Sequence, residues 1–138
     1  MSGKLLLRIA AILMLLHTFG HTMGALTWKQ APTPELGQVI ATMQNHHFSF
    51  MGRSVSIAGF YEGYGMSMIF VLLMVSILLW LLSGDGGSKM GVSMMVVLSV
   101  FLLLLSVIEY IYFFAFAAAF SFLSAVLTGM AVFRVRKA

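Results

Sequence analysis

Between Gly91 and Phe133 the chain carries a single charged residue, Glu109. A helix that crosses a bilayer uses about 20 predominantly apolar residues, and this stretch is roughly twice that length, so it must reverse once within itself. The remainder offers no polar shell to bury it in: of 138 residues, 61% are hydrophobic and 9% charged. The chain is therefore expected to be an integral membrane protein, its fold class an all-α four-helix transmembrane bundle. The aromatic cluster Tyr110, Tyr112, Phe113, Phe114 and Phe116 marks an interface, which puts the third span at about 91–111 and the fourth at about 115–133.

Two more apolar runs complete the four. The run 5–27 is interrupted by Arg8, which can snorkel to the headgroups, and by His17 and His21. Lys4 and Arg8 ahead of it, and the small residues Thr22, Gly24 and Ala25 near its end, equally suit a cleaved signal peptide. The run 60–82 holds only Glu62 and stops at a turn-forming cluster, Ser83-Gly84-Asp85-Gly86-Gly87-Ser88. Lys4, Arg8, Lys89, Arg134, Arg136 and Lys137 share the side of the termini and this turn, whereas Lys29 and Arg53 lie on the other. The positive-inside rule then expects both termini in the cytoplasm and the segment 28–58 outside, in the periplasm of a bacterial inner membrane. Basic residues confined to ends and loops also argue against a nucleic-acid partner.

The external segment has its own pattern. Thr33-Pro34-Glu35 supplies a cap, an N1 proline and an acid in the first turn, and Leu36, Val39, Ile40, Met43, His47 and Phe50 recur at helical spacing. This predicts a short external amphipathic helix. With no internal repeat and no low-complexity linker, residues 1–138 are expected to form one domain.

Ionisable groups inside apolar spans are rare and point to function or to a specific partner. His17 and His21, four residues apart, share a face with Gly20 and Gly24, and Gly59, Glu62, Gly63 and Met66 make a similar stripe in the second span. Small residues let helices approach closely, so Gly20, Gly24, Gly59 and Gly63 are expected at a helix contact that brings His21 toward Glu62, with His17 deeper. Glu109 follows Ser99, Leu102 and Ser106 on one face of the third span, and Ala117, Ser121, Ala125 and Gly129 form a packing face on the fourth. Arg53 is one conceivable partner for Glu109; each polar pair can also serve only to fix helix register.

Chemistry narrows from there. The absence of cysteine excludes thiol chemistry and Fe–S clusters. Haem is excluded as well, because bis-histidine ligation needs residues facing each other across the ring and His17 and His21 sit on one turn. His17, His21 and Glu62 suit a divalent metal such as zinc or ferrous iron, while His17, His21, Glu62 and Glu109 suit a ligand-binding or proton-relay site. His46 and His47 diverge on a helix and read as surface residues, and the twelve methionines are scattered packing residues without a repeated array.

Arg53-Ser54, Gly59-Phe60-Tyr61-Glu62-Gly63-Tyr64-Gly65 and His17-x-x-Gly20-His21 together resemble small uncharacterised bacterial four-span membrane proteins, loosely grouped as DoxX-like. The resemblance covers the first two spans. It implies an inner-membrane four-helix bundle and supplies no activity or catalytic residue. The quinone-linked disulfide enzymes differ in needing cysteines, and small multidrug exporters in placing an acid where this chain has His17. Two readings of function stand: an outer-leaflet intramembrane His/Glu site for a lipophilic ligand or divalent metal, and a non-enzymatic accessory or assembly subunit packing against a larger membrane complex or a second copy. Its constant partner in either is the lipid bilayer.

Overall fold

Apolar run length decides four of the five helices. A computed structural model describes residues 1–85 and 87–135; Gly86, Arg136 and Lys137, used above in the turn and the charge count, lie outside the described residues. The order is α1 Gly3–Thr27, α2 Pro34–Asn45, β1 His47–Phe50, β2 Arg53–Ser56, α3 Ile57–Leu82, α4 Lys89–Tyr112 and α5 Ala115–Val135. Helices α1, α3, α4 and α5 are each long and apolar enough to cross a membrane. Their ends fall within a few residues of the sequence expectation. Contacts divide the chain into two compact units, Met1–Thr18 with Val71–Ala138, and Phe19–Phe70.

In the first unit, α4 and α5 pair as a helical hairpin reversed at Phe113-Phe114 without glycine or proline. Phe113 caps α4 by donating its N–H to the Glu109 carbonyl. The core is built from Leu6, Leu7, Ala10 and Met14 of α1, Leu72 and Leu79 of α3, Met95 and Leu102 of α4, and Ala117, Ala125 and Ala131 of α5. Between lipid-exposed helices there is little hydrophobic drive, so close packing and interhelical hydrogen bonds carry more of the association. Serines supply them here: Ser76 donates to the Ala11 carbonyl at 2.8 Å, Ser124 to Ala10 at 3.3 Å and Ser99 to Ala125 at 2.8 Å. The turn into α4 is closed by Ser88, whose Oγ accepts from the Gly91 N–H while Asp85 accepts from the Ser88 N–H. A Cβ at position 91 would strike the Asp85 carboxylate. Large apolar residues such as Phe70, Leu81, Val97 and Phe133 stay exposed, as lipid-facing positions do.

The second unit corrects the reading of the external segment. Helix α2 starts as expected, with Thr33 Oγ1 accepting from Leu36 N and Pro34 at its first position, but it ends at Asn45. His47 and Phe50 are not on that helix; they belong to a two-stranded hairpin with Phe48 opposite Val55 and Phe50 opposite Arg53. Its tip, Met51-Gly52, has φ of 50° and 79°, the left-handed geometry that two-residue hairpin turns require. The alternating Phe48-Ser49-Phe50 and Ser54-Val55-Ser56 around a glycine carried that signal. Phe60 anchors the hairpin to α3, stacked on Phe48 with centroids 6.2 Å apart and edge-on to Phe50 at 5.6 Å.

Candidate functional site

Three helix stripes of the first unit converge on one polar cluster. The buried face of α1 advances in steps of three and four through Leu7, Ala10 and Met14 to His17; that of α4 runs through Leu98, Leu102 and Leu105 to Glu109; that of α5 runs through Ala117, Ser121, Ser124 and Thr128. Glu109 thus ends up 6% exposed, His17 6% and Ser121 0%. The His17 Nε2 lies 3.4 Å from Glu109 Oε1, and its Nδ1 lies 3.3 Å from Ser121 Oγ. Phe120 stacks on the imidazole with centroids 5.9 Å apart, and the exposed Phe116 meets Phe120 edge-on at 5.0 Å. Glu109 Oε2 is buried and makes no hydrogen bond within the described residues.

The order of groups matters chemically. Imidazole has two nitrogens, and each faces an oxygen here. A serine hydroxyl both donates and accepts, so Ser121 can match either state of Nδ1, while Nε2 can hold a proton against the carboxylate or receive one from it. In surroundings of low dielectric each contact is stronger than in water, and loss of one partner is costly. The cluster has the parts of a proton-exchanging site, with Oε2 left over for a further donor.

The remaining expected site residues belong to the second unit. His21 donates from Nε2 to the Gly65 carbonyl at 3.1 Å. Glu62 forms an ion pair with Lys29, about half-exposed on both sides, and Tyr61 packs on Trp28 with centroids 4.8 Å apart. The expected His21–Glu62 approach is therefore replaced by two separate pairings, and the partner of Glu109 is His17 and not Arg53. Among the described residues of the second unit, a Cβ added at Gly20, Gly24 or Gly63 meets nothing within 4 Å and one at Gly59 meets Ser56 Oγ at 3.5 Å; the close approach falls at Gly65, beside the Ala25 methyl at 3.5 Å. Among the described residues no group of three or more His, Cys, Asp or Glu could hold a metal ion, so the metal reading of His17, His21 and Glu62 gains no ligand cluster. His46 and His47 are both exposed.

Sequence reasoning put Ser121 and Ala125 on a packing face and left the chemistry of Ser121 unremarked. The available signal was a serine at the centre of an α5 stripe otherwise made of alanine, serine and threonine. No known family, curated protein or solved structure matches the chain, so its function rests on this geometry alone.

Proposed function

We propose that this multi-pass membrane protein works through an intramembrane acid–base site, Glu109–His17–Ser121, which binds a lipophilic ligand and exchanges a proton with it. One observation carries the reading: a glutamate buried in an apolar helix has one oxygen against imidazole and the other buried without a hydrogen bond among the described residues. A pair that served only to fix helix register gains nothing from leaving a buried acceptor unmatched, whereas a site for a ligand hydroxyl or amine uses it. The aromatic sequence Phe116, Phe120, His17 runs from an exposed ring to the buried imidazole and gives an apolar ligand a surface to follow. The charge distribution supports an inner-membrane location with both termini cytoplasmic.

The test is extraction of wild-type, Glu109→Gln and His17→Gln proteins with their native lipids, followed by mass spectrometry of the intact complexes. A lipophilic compound retained by the wild type and lost from both variants at unchanged melting temperature is the expected result. Identical content in all three overturns it. The accessory-subunit reading draws on Gly20 and Gly24, whose exposed surface on α1 is open to another helix. Under that reading Gly20→Leu leaves the monomer stable and abolishes assembly on native gels.

A further inference from the structure

Beside Glu109 Oε2, Arg8 carries the other buried polar side-chain atom that makes no hydrogen bond within the described residues, and the proposed acid–base site makes no use of it. It sits in the second turn of α1, partly buried, with its guanidinium carbon 5.0 Å from the centre of the Trp80 indole. Its Nε is buried and has no hydrogen-bond partner within the described residues. Neither described ion pair includes it: Glu109 is taken by His17 and Glu62 by Lys29. A guanidinium within an apolar span needs a counter-charge, and the indole face satisfies only one side of its plane.

The surroundings indicate what anion that is. Lys4 lies one turn before Arg8, and α1 begins against the end of α5, where a Cβ on Gly3 would lie 2.8 Å from Val135 Cγ2 and 3.8 Å from the Cβ of Arg134. Lys89 opens α4, which follows directly on the end of α3 that carries Trp80. Asp85, held by Ser88 in the turn between α3 and α4, is the acid at this end, which Lys4, Arg8, Lys89 and Arg134 leave net basic. Tryptophan and arginine near the end of a span occupy the headgroup level of a bilayer, where the abundant anion is a phosphodiester. Arginine matches phosphate oxygens with a planar fork, which a lysine ammonium cannot do.

We propose that Arg8 and Trp80 form a headgroup site for an anionic phospholipid, in which the guanidinium fork binds the phosphodiester and the indole holds the guanidinium plane. The shared chemistry is a phosphate anion, and its source is the lipid. The site is independent of the acid–base reading, since it involves none of His17, Glu109 or Ser121.

The experiment places full-length protein in nanodiscs of phosphatidylcholine, of phosphatidylcholine with phosphatidylglycerol, and of phosphatidylcholine with added inorganic phosphate. Melting temperature and the phosphatidylglycerol retained in native mass spectra are the readouts. The wild type is expected to melt higher with phosphatidylglycerol and to retain it. Arg8→Gln should weaken that retention about tenfold, as loss of a charged hydrogen bond does. Arg8→Lys should recover only part of it, Trp80→Leu at its exposed position should reduce it several-fold, and Lys4→Gln should leave it near wild type. Trp80→Leu keeps the test open should Arg8→Gln fail to fold. Equal behaviour in phosphatidylcholine and phosphatidylglycerol overturns the site. So does an effect reproduced by inorganic phosphate alone, or one lost as fully in Lys4→Gln as in Arg8→Lys, since those results mean a free-anion site or diffuse surface charge.

Discussion

Glu109 and His17 show how a buried polar pair can be separated into its structural and chemical parts. Leaving one partner in place strands a polar group in an apolar bundle, so His17→Leu and Glu109→Leu should each lower stability by about 1–3 kcal/mol, while the double variant recovers much of the loss. Reversible unfolding in mixed micelles measures this cycle, and additive single effects would mean the two side chains do not interact. Ser121→Ala should cost less, and should alter the tautomer balance of His17 as seen in imidazole nitrogen shifts, because the partner of Nδ1 is removed. Glu35 behaves differently, being fully exposed at the start of α2. Its own backbone N–H, and then the Thr33 hydroxyl, hold its carboxyl below the usual carboxylate range. Its contribution to α2 is therefore complete above the unfolded value and fades as pH falls through the lower folded value. Protection of the Leu36 and Gly37 amides, taken relative to the unfolded chain at each pH, should fall on acidification in that range and stay flat toward neutrality.

At the scale of elements, the hairpin turn is the most exposed to a single change. Gly52 has φ of 79°, which a β-branched residue resists, so Gly52→Val should open β1–β2 and free Phe48 and Phe50 from Phe60. Faster exchange confined to residues 47–56, with the long helices unchanged, is the expected pattern. The four long helices were legible from sequence because each apolar run ends at polar residues, a turn cluster or an aromatic interface. The hairpin was not, since four-residue strands beside a helix can continue its apparent periodicity: His47 and Phe50 fell on the stripe of α2 by coincidence of spacing. The site was half legible for a related reason. Periodicity shows which face of a helix is interior, and it marked His17, Glu109 and Ser121 correctly as interior positions. It carries no information on which helix that face meets, and so His21 was matched to Glu62 on the strength of glycines that make no close contact.

At the scale of the whole molecule, four apolar helices, two short turns and one polar excursion carry an uneven distribution of basic residues that makes the expected topology testable. A reporter fused to the C-terminal end should report the cytoplasm, and one inserted at Met51, exposed at the hairpin tip, should report the opposite side. Agreement of the two reporters would mean an even number of crossings between them, not the three that α3, α4 and α5 provide. The α4–α5 reversal bears on how such a chain is made. Its connection is two phenylalanines, with no charge and no hydrophilic loop. During biosynthesis this pair of helices has no hydrophilic loop to drag across the bilayer, and Glu109 is the one carboxyl group that must enter with it, so it can enter as one closed hairpin from the side on which it is synthesised. With the termini on the cytoplasmic side, the segment carrying Lys29 and Arg53 would have to move its charges outward against the membrane potential, which calls for a secretion machine. Integration of the C-terminal half should accordingly survive loss of that machine's motor, a condition under which the N-terminal half stalls.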